Sequence, residues 1–167
     1  MRVGFGYDSH RFEECECAAQ VASAVQRLGG VKVPGCPKLK GHSDADVLIH
    51  AVIDALLGAT ALGDIGSHFP DTDTRWKGAD SAKLLTSVVE EIHGAGYSVD
   101  NVDVTLICER PKLHPYVDSI RKRLAELLKV SVDAVSVKGK TNEGMDAVGE
   151  GLGIEVHAVA LVNSSKG

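Results

Sequence analysis

The first ten residues constrain the fold of this chain more tightly than any other stretch. Residues 2–8 alternate apolar side chains with small or polar ones, which predicts a β-strand. Asp8 and His10 are two positions apart, so both belong to the same face of that strand. A strand that ends in this way presents two metal-type ligands. The pair is also common as a turn cap, so a metal site requires a third ligand elsewhere.

The bulk composition is that of a single globular domain spanning residues 1–167. Charged residues make up 25% of the chain, and the net charge of −5 without a basic stripe argues against a nucleic-acid partner. No apolar run approaches the roughly 20 residues of a membrane-spanning helix. With no secretory signal at the start of the chain, we expect a cytoplasmic protein without a membrane partner.

Periodicity predicts alternating strands and helices after the first strand. Helical spacing of apolar residues indicates three helices, and alternation indicates three strands. The helices fall within 42–63, 78–97 and 117–128, and the strands within 98–110, 135–140 and 153–162. Ser43 and Asp46 match the capping-box pattern that starts the first of these helices. The segment 14–30 is interpreted as a short helix ending at Gly29–Gly30, and 31–34 as a short edge strand.

This order of elements predicts an α/β (α+β) fold, in which one mixed sheet has helices packed on one face. The last strand is apolar at both sets of alternating positions. Such a strand lies centrally in the sheet or at a subunit contact, so the pattern also favours oligomerisation.

The four cysteines are Cys15, Cys17, Cys36 and Cys108, and none forms a CxxC pair. In a chain without an export signal they are interpreted as reduced thiols. Because three of them fall between residues 15 and 36, a metal site in that segment is the alternative.

His50 is the candidate third metal ligand. It lies one helical turn from Asp46 and one turn from Asp54, so the three share one helix face. Two ligands from a strand and one from a helix would form the open three-ligand site that is typical of catalytic zinc. Asp46 or Asp54 could then hold the second imidazole nitrogen of His50. The alternative is a core histidine that bonds to a helix neighbour.

Four loops have residue types that suit a phosphorylated, hydroxylated ligand, although each alone would also fit an ordinary turn. They are 42–43, 63–73, 109–115 and 138–144. The first lies at a predicted helix N-terminus, where free N–H groups favour phosphate. Lys112 and Lys140 offer cations to phosphate oxygens, and Glu143 offers a carboxylate to Mg²⁺ or Mn²⁺.

Five sequence blocks resemble the 2-C-methyl-D-erythritol 2,4-cyclodiphosphate synthase family: GYDSHRF, GHSDADVLIHAVIDALLGA, LGDIGSHFPDTDTRWKGADS, NVDVTLICERPKLHP and VKGKTNEGMDAVGEGLGI. The resemblance implies that a CDP-linked methylerythritol 2-phosphate cyclises and releases CMP. It also implies a homotrimer with active sites between subunits, and Zn²⁺ plus Mg²⁺ or Mn²⁺ at each site.

The resemblance also implies roles for the residues at matching positions. Asp8, His10 and His50 would bind Zn²⁺, and Glu143 would bind Mg²⁺ or Mn²⁺. His42 and Thr141 would act in catalysis by stabilising charge in the transition state. All of these except His50 would also contact substrate, together with Ser9, Ser43, Asp64, Ile65, Gly66, Phe69, Pro70, Asp71, Thr72, Asp73, Cys108, Pro111, Lys112, Leu113, His114, Gly139, Lys140 and Asn142.

Two features depart from the family pattern. Ala147 and Glu150 stand where a phenylalanine and an arginine often lie near the trimer axis, so we expect no isoprenyl diphosphate there. Residues 13–40 are longer and richer in cysteine than the resemblance predicts, and they receive no role. The rival functions are a zinc-dependent hydrolase of CDP-alcohols and a non-catalytic nucleotide-binding module of the same fold.

Overall fold

The computed structural model describes residues 1–14 and 18–164. Within these residues the strands are β1 (Arg2–Arg11), β2 (Val25–Leu28), β3 (Val31–Pro34), β4 (Tyr97–Ile107), β5 (Val135–Lys140) and β6 (Gly153–Ser164). The helices are α1 (Ala18–Ser23), α2 (Val47–Thr60), α3 (Ile65–His68), α4 (Ser81–Gly94), α5 (Val117–Leu128) and α6 (Asp146–Gly149). Short 3-10 turns occupy Thr74–Trp76, His114–Tyr116 and Val132–Ala134. The predicted thiols Cys15 and Cys17 lie outside the described residues.

The main sheet has four strands in the order β1-β6-β4-β5. β4 and β5 are parallel, whereas β6 is antiparallel to both of its neighbours. The predicted mixed sheet and the central place of the last strand are therefore confirmed. The carboxyl ends of β1, β4 and β5 all lie at the same end of the sheet. The residues that follow these three strands are consequently neighbours in space.

The sheet packs one face against the helices. On β1 that face contains Gly4 and Gly6, which lie directly against the backbone of α2. A Cβ atom built at Gly6 would lie 2.6 Å from the Ala55 nitrogen, closer than real contacts allow. Only glycine permits so close an approach between the strand and the helix.

The opposite face of the sheet is apolar and exposed in the single chain. Its large hydrophobic side chains and their exposed fractions are Val3 (67%), Phe5 (62%), Tyr7 (44%) and Val159 (41%). A contiguous exposed patch of this kind marks an interaction surface.

The helix predicted over 14–30 is wrong for more than half of the described residues in that range. Within the described residues it covers only Ala18–Ser23, and Val25–Leu28 forms a strand that pairs with Val31–Pro34. Gln26 and Leu28 alternate inward, which is a strand period. Gly29 and Gly30 both have positive φ, at 61° and 76°, and form the two-residue turn of a β-hairpin.

The start of α2 also differs from the prediction. The N-cap is Asp46, whose carboxylate accepts the N–H of Ile49. Ser43 lies in the loop before the cap, so the capping box predicted from Ser43 is wrong. Asp46 also accepts the N–H groups of Gly29 and Gly30 at 2.8 and 2.7 Å, so the N-cap is bonded to the hairpin turn.

Among the described residues, no helix combines the length and the apolar character needed to cross a membrane. The cytoplasmic location stays a prediction.

The glycine contact between β1 and α2 gives the first testable prediction. We expect Gly6→Ala to lower the free energy of unfolding by about 3 kcal/mol, because the new methyl group overpacks a backbone contact. Urea unfolding would measure this change. Gly94→Ala is the matched control, since a Cβ there meets no atom within 4 Å and should change stability by less than about 1 kcal/mol. Equal stability of the two variants would contradict the proposed contact.

Candidate metal centre and ligand pockets

Three predicted ligands converge at the end of β1. The Asp8 Oδ2 atom lies 3.0 Å from His10 Nε2 and 2.9 Å from His50 Nδ1. The two histidine nitrogens are 3.3 Å apart. Ligand atoms bound tetrahedrally to one ion at 2.0–2.1 Å lie roughly 3.3 Å from one another. The triangle therefore has the size that a metal centre requires, and the three residues form a group that could hold a metal ion.

The ring of His10 is oriented by the backbone. His10 Nδ1 lies 2.6 Å from the carbonyl oxygen of Lys40. Because a carbonyl only accepts hydrogen bonds, Nδ1 donates its proton there. In the neutral ring, Nε2 then has a lone pair that faces Asp8.

The ring of His50 is oriented by hydroxyl groups. Its Nε2 lies 3.0 Å from both Ser43 Oγ and Ser81 Oγ. The Ser81 hydroxyl donates to the Asp44 carboxylate, so its oxygen is free to accept the proton of His50 Nε2. His50 Nδ1 is left with a lone pair facing Asp8. The prediction that Asp46 or Asp54 holds the second nitrogen of His50 is wrong: Asp46 bonds to the hairpin turn, and Asp54 accepts the N–H of Ile65.

Two lone pairs and a carboxylate thus face one point, which is an arrangement that a cation would stabilise. Burial alone would raise the pKa of Asp8, but protons taken up at His10 Nε2 and His50 Nδ1 are donated to its carboxylate, and these hydrogen bonds lower the pKa to about 2. Burial would lower the pKa of His10, yet its hydrogen bond and charge interaction with Asp8 raise it. Without an ion, protons must fill this space; a divalent metal would replace them. The carboxylate of Asp8 and the rings of His10 and His50 therefore fit a divalent metal ion.

The metal-type ligands line a pocket of about 390 Å³ and remain partly accessible. The side chains of Asp8, His10 and His50 are 25%, 17% and 12% exposed. Ten predicted residues line this pocket: Asp8, His10, His42, Ser43, His50, Ile65, Gly66, Phe69, Pro70 and Asp71. A ligand could therefore reach an ion held at the triad.

Three residues at or beside this pocket were missed as site residues: Trp76 and Leu84 line its wall, and Ser81 bonds to His50. Asp54, predicted as a partner of His50, lines the wall instead. Trp76 is the only tryptophan of the chain and packs edge-on against Phe69, with ring centroids 5.0 Å apart. Its position makes it a natural fluorescent reporter of ligand binding. No local spacing in the sequence connects Ser81 with a histidine 31 positions earlier.

Six other predicted site residues lie outside this pocket and outside a second pocket beside β4 and β5: Ser9, Asp64, Thr72, Asp73, Asn142 and Glu143. Asp64 caps α3 by accepting both the N–H and the hydroxyl of Ser67, each at 2.7 Å. Asp73 bonds to the guanidinium of Arg75. Glu143 accepts the Thr141 hydroxyl at 2.8 Å, so these two residues form a pair beyond the end of β5.

A second pocket of about 470 Å³ opens beside the ends of β4 and β5. Eight predicted residues line it: Cys108, Pro111, Lys112, Leu113, His114, Gly139, Lys140 and Thr141. Its floor is apolar, with Leu106 and Val137, and two predicted lysines lie at its rim. Burial raises the pKa of the Cys108 thiol to about 11, so the sulfur is protonated at neutral pH and is no nucleophile.

The two pockets share no lining residue within the chain. The triad lies at the β1 edge of the sheet, with His50 supplied by α2, and the second pocket lies at the β5 edge. Three strand spacings, roughly 14 Å, separate these edges. One protomer therefore presents two separate pockets at the same end of its sheet.

Fold and site together define an α/β protein with an open two-histidine, one-aspartate metal-type centre at one edge of its sheet and a pocket with cationic residues at the other. The chain belongs to the YgbB family, which matches residues 1–163. The 2-C-methyl-D-erythritol 2,4-cyclodiphosphate synthase of Salinibacter ruber is 53% identical over 165 residues, which cover 99% of this chain and 100% of that protein.

Solved structures agree with this assignment. IspF of Plasmodium falciparum in complex with CDP superposes with a TM-score of 0.81 at 32% identity, covering 98% of this chain and 96% of that one. The bifunctional IspDF of Campylobacter jejuni gives a TM-score of 0.88 at 32% identity. The match covers 98% of this chain but spans only 42% of the bifunctional protein.

The hydroxyl of Ser81 gives the second prediction. We expect Ser81→Ala to weaken binding of a divalent metal by about tenfold, because His50 Nε2 loses a partner that orients the ring. Isothermal titration with Co²⁺ would measure the affinity. Ser87→Ala removes an exposed hydroxyl from the same helix and should bind as the wild type does. Wild-type affinity in Ser81→Ala would show that the hydroxyl does not orient the ligand.

Proposed function

We propose that this protein converts 4-CDP-2-C-methyl-D-erythritol 2-phosphate to 2-C-methyl-D-erythritol 2,4-cyclodiphosphate and releases CMP. The convergence of Asp8, His10 and His50 within 3.3 Å at the mouth of a pocket is the observation on which this proposal rests. Membership of the YgbB family and the synthase named among its relatives support it. So does the CDP bound by the Plasmodium falciparum relative.

The reaction needs no side-chain nucleophile. An oxygen of the 2-phosphate attacks the β-phosphorus, and the bond from that phosphorus to the oxygen of CMP breaks. Because the second pKa of a phosphate monoester is near 6, the attacking group is already ionised at neutral pH. The obstacle is the approach of one anion to another, which positioning and charge stabilisation overcome.

The residue roles are those that the resemblance to the family implies. Asp8, His10 and His50 would hold Zn²⁺, and Glu143 would hold Mg²⁺ or Mn²⁺ with the substrate phosphates. The two ions would offset negative charge on the diphosphate. His42, at the rim of the metal pocket, would donate to a phosphate oxygen.

Residues of the second pocket would bind the nucleotide. The apolar floor suits the cytosine ring, and Lys112 and Lys140 suit the phosphates. Thr141 lies at the end of β5, where its hydroxyl would support the transition state. At the edge of the metal pocket, Asp64 and Gly66 would meet the methylerythritol or ribose hydroxyls.

The complete site requires a second copy of the chain. Two separate half-sites at one end of the sheet, together with the exposed apolar face of Phe5 and Val159, support a homotrimer with sites between subunits. In that assembly the metal pocket of one protomer would face the nucleotide pocket of its neighbour.

The third prediction concerns the reaction itself. Purified protein with Zn²⁺, Mg²⁺ and the phosphorylated CDP substrate should give a cyclic diphosphate in ³¹P NMR spectra. His50→Ala should abolish both zinc binding and turnover, because the triad loses one of three ligands. His93→Ala, at an exposed position in α4, should retain both.

Two other results would contradict this proposal, and each would support a different function. Release of CMP from a CDP-alcohol without the 2-phosphate would indicate a zinc-dependent hydrolase. Binding of CDP without any turnover of the substrate would indicate a nucleotide-binding module.

The fourth prediction tests the assembly. Val159→Lys puts a charge in the exposed apolar face. Because burying an unpaired charge is unfavourable, sedimentation should show monomers, and the specific activity should fall by more than roughly tenfold. Val132→Lys is the control, because Val132 is 36% exposed on a turn outside that face. A Val159→Lys variant that stays trimeric, or a wild type that is an active monomer, would contradict the shared site.

A further inference from the structure

Gln26 is a buried amide in the hairpin segment for which sequence reasoning found no role. It lies on β2, and only 4% of its surface is exposed. Its amide nitrogen donates to the carbonyl oxygens of Asp44 at 3.0 Å and Ala45 at 3.2 Å. Its amide oxygen accepts the N–H of Leu39 at 3.1 Å. One side chain thus joins two segments of the 39–45 loop.

The first of these segments orients His10. Leu39 is followed by Lys40, whose carbonyl accepts the Nδ1 proton of His10 at 2.6 Å. The Lys40 N–H donates to the carbonyl of Arg11 at 2.8 Å, so this segment pairs with the end of the strand that bears the ligand.

The second segment orients His50. The Asp44 carboxylate accepts the hydroxyl and the N–H of Ser81, and the Ser81 oxygen lies 3.0 Å from His50 Nε2. A shift of Asp44 would therefore move the partner of the His50 ring.

The hairpin that bears Gln26 is itself anchored. Asp46, which is fully buried, accepts the N–H groups of Gly29 and Gly30 at the hairpin turn. The same residue caps the helix that carries His50. The hairpin is therefore fixed relative to α2, so the side chain of Gln26 can position the 39–45 loop.

We propose that Gln26 is a positioning residue for the metal centre, holding in register the two segments that orient His10 and His50. A glutamine suits this place because it offers an acceptor and two donors at once. The proposal gives the 25–34 hairpin a role in metal binding, and it rests on the proposed metal site.

The test is Gln26→Met, which keeps the length of the side chain and removes all of its strong hydrogen bonds. We expect about tenfold weaker binding of Zn²⁺, as is typical when an outer partner of a metal ligand is lost. The visible absorption spectrum of the Co²⁺-loaded variant should also change, because the two rings no longer converge in the same geometry. Thermal unfolding of the metal-free variant would measure how far the substitution lowers the stability of the fold itself.

Thr60→Val is the matched control. Thr60 is also buried, and its hydroxyl bonds to the carbonyls of Leu56 and Leu57 on α2. It lies ten residues from His50, roughly 15 Å along the helix. This variant should lose stability but keep the affinity and spectrum of the wild type.

The outcomes separate the two proposals. If Gln26→Met binds Zn²⁺ with wild-type affinity and an unchanged Co²⁺ spectrum, the positioning role is refuted while the metal site stands. If the wild type binds neither ion, the proposed metal site fails and the role of Gln26 fails with it. An affinity lost equally in Thr60→Val would also refute the role.

A second measurement decides the matter if Gln26→Met does not fold. In the wild type, Zn²⁺ should slow hydrogen exchange at the Leu39 amide, because the ion fixes His10 and through it the 39–45 loop. The Thr60 amide should be unaffected. Exchange at Leu39 that is the same with and without Zn²⁺ would overturn the proposal.

Discussion

The close contact between β1 and α2 is the constraint on which the rest of the structure depends. Gly4 and Gly6 present bare backbone to the helix, and a Cβ atom at Gly4 would lie only 2.5 Å from the Ala59 nitrogen. This approach brings a helix side chain to the end of the strand, so that His50 meets Asp8 across 42 positions of sequence. With larger residues at the strand positions, the helix would stand further away and the triangle of ligands would open.

Residues outside the triad orient the two histidine rings of the metal-type centre. The ring nitrogens that do not face Asp8 bond to the Lys40 carbonyl and to serine hydroxyls, and this fixes which nitrogen of each histidine has a lone pair. The remaining chemistry is divided between two sheet edges, since the cationic pocket forms beyond β4 and β5. In the proposed enzyme, assembly would complete the site, and the apolar sheet face that a single chain exposes would be the contact surface.

Much of the fold could be predicted from the sequence, because its main elements have clear periods. Leu84, Leu85 and Val88 are spaced for a helix, and Val102, Val104 and Leu106 alternate as in a strand; all six are buried. The prediction for segment 14–30 failed because the helix and the strand in it are both very short. For the site, resemblance and ligand type found Asp8, His10 and His50. Ser81 and Gln26 act through contacts between distant segments, which no local pattern encodes.

The glycine contact between strand and helix brings Asp8, His10 and His50 together, and we infer that they bind one metal ion. Crystals of the zinc-loaded protein, with anomalous diffraction collected at the zinc absorption edge, would locate that ion. We expect a single strong peak per protomer within bonding distance of Asp8 Oδ2, His10 Nε2 and His50 Nδ1. A peak at the cysteines of the 15–36 segment instead, or no peak beside His50 at saturating zinc, would contradict it.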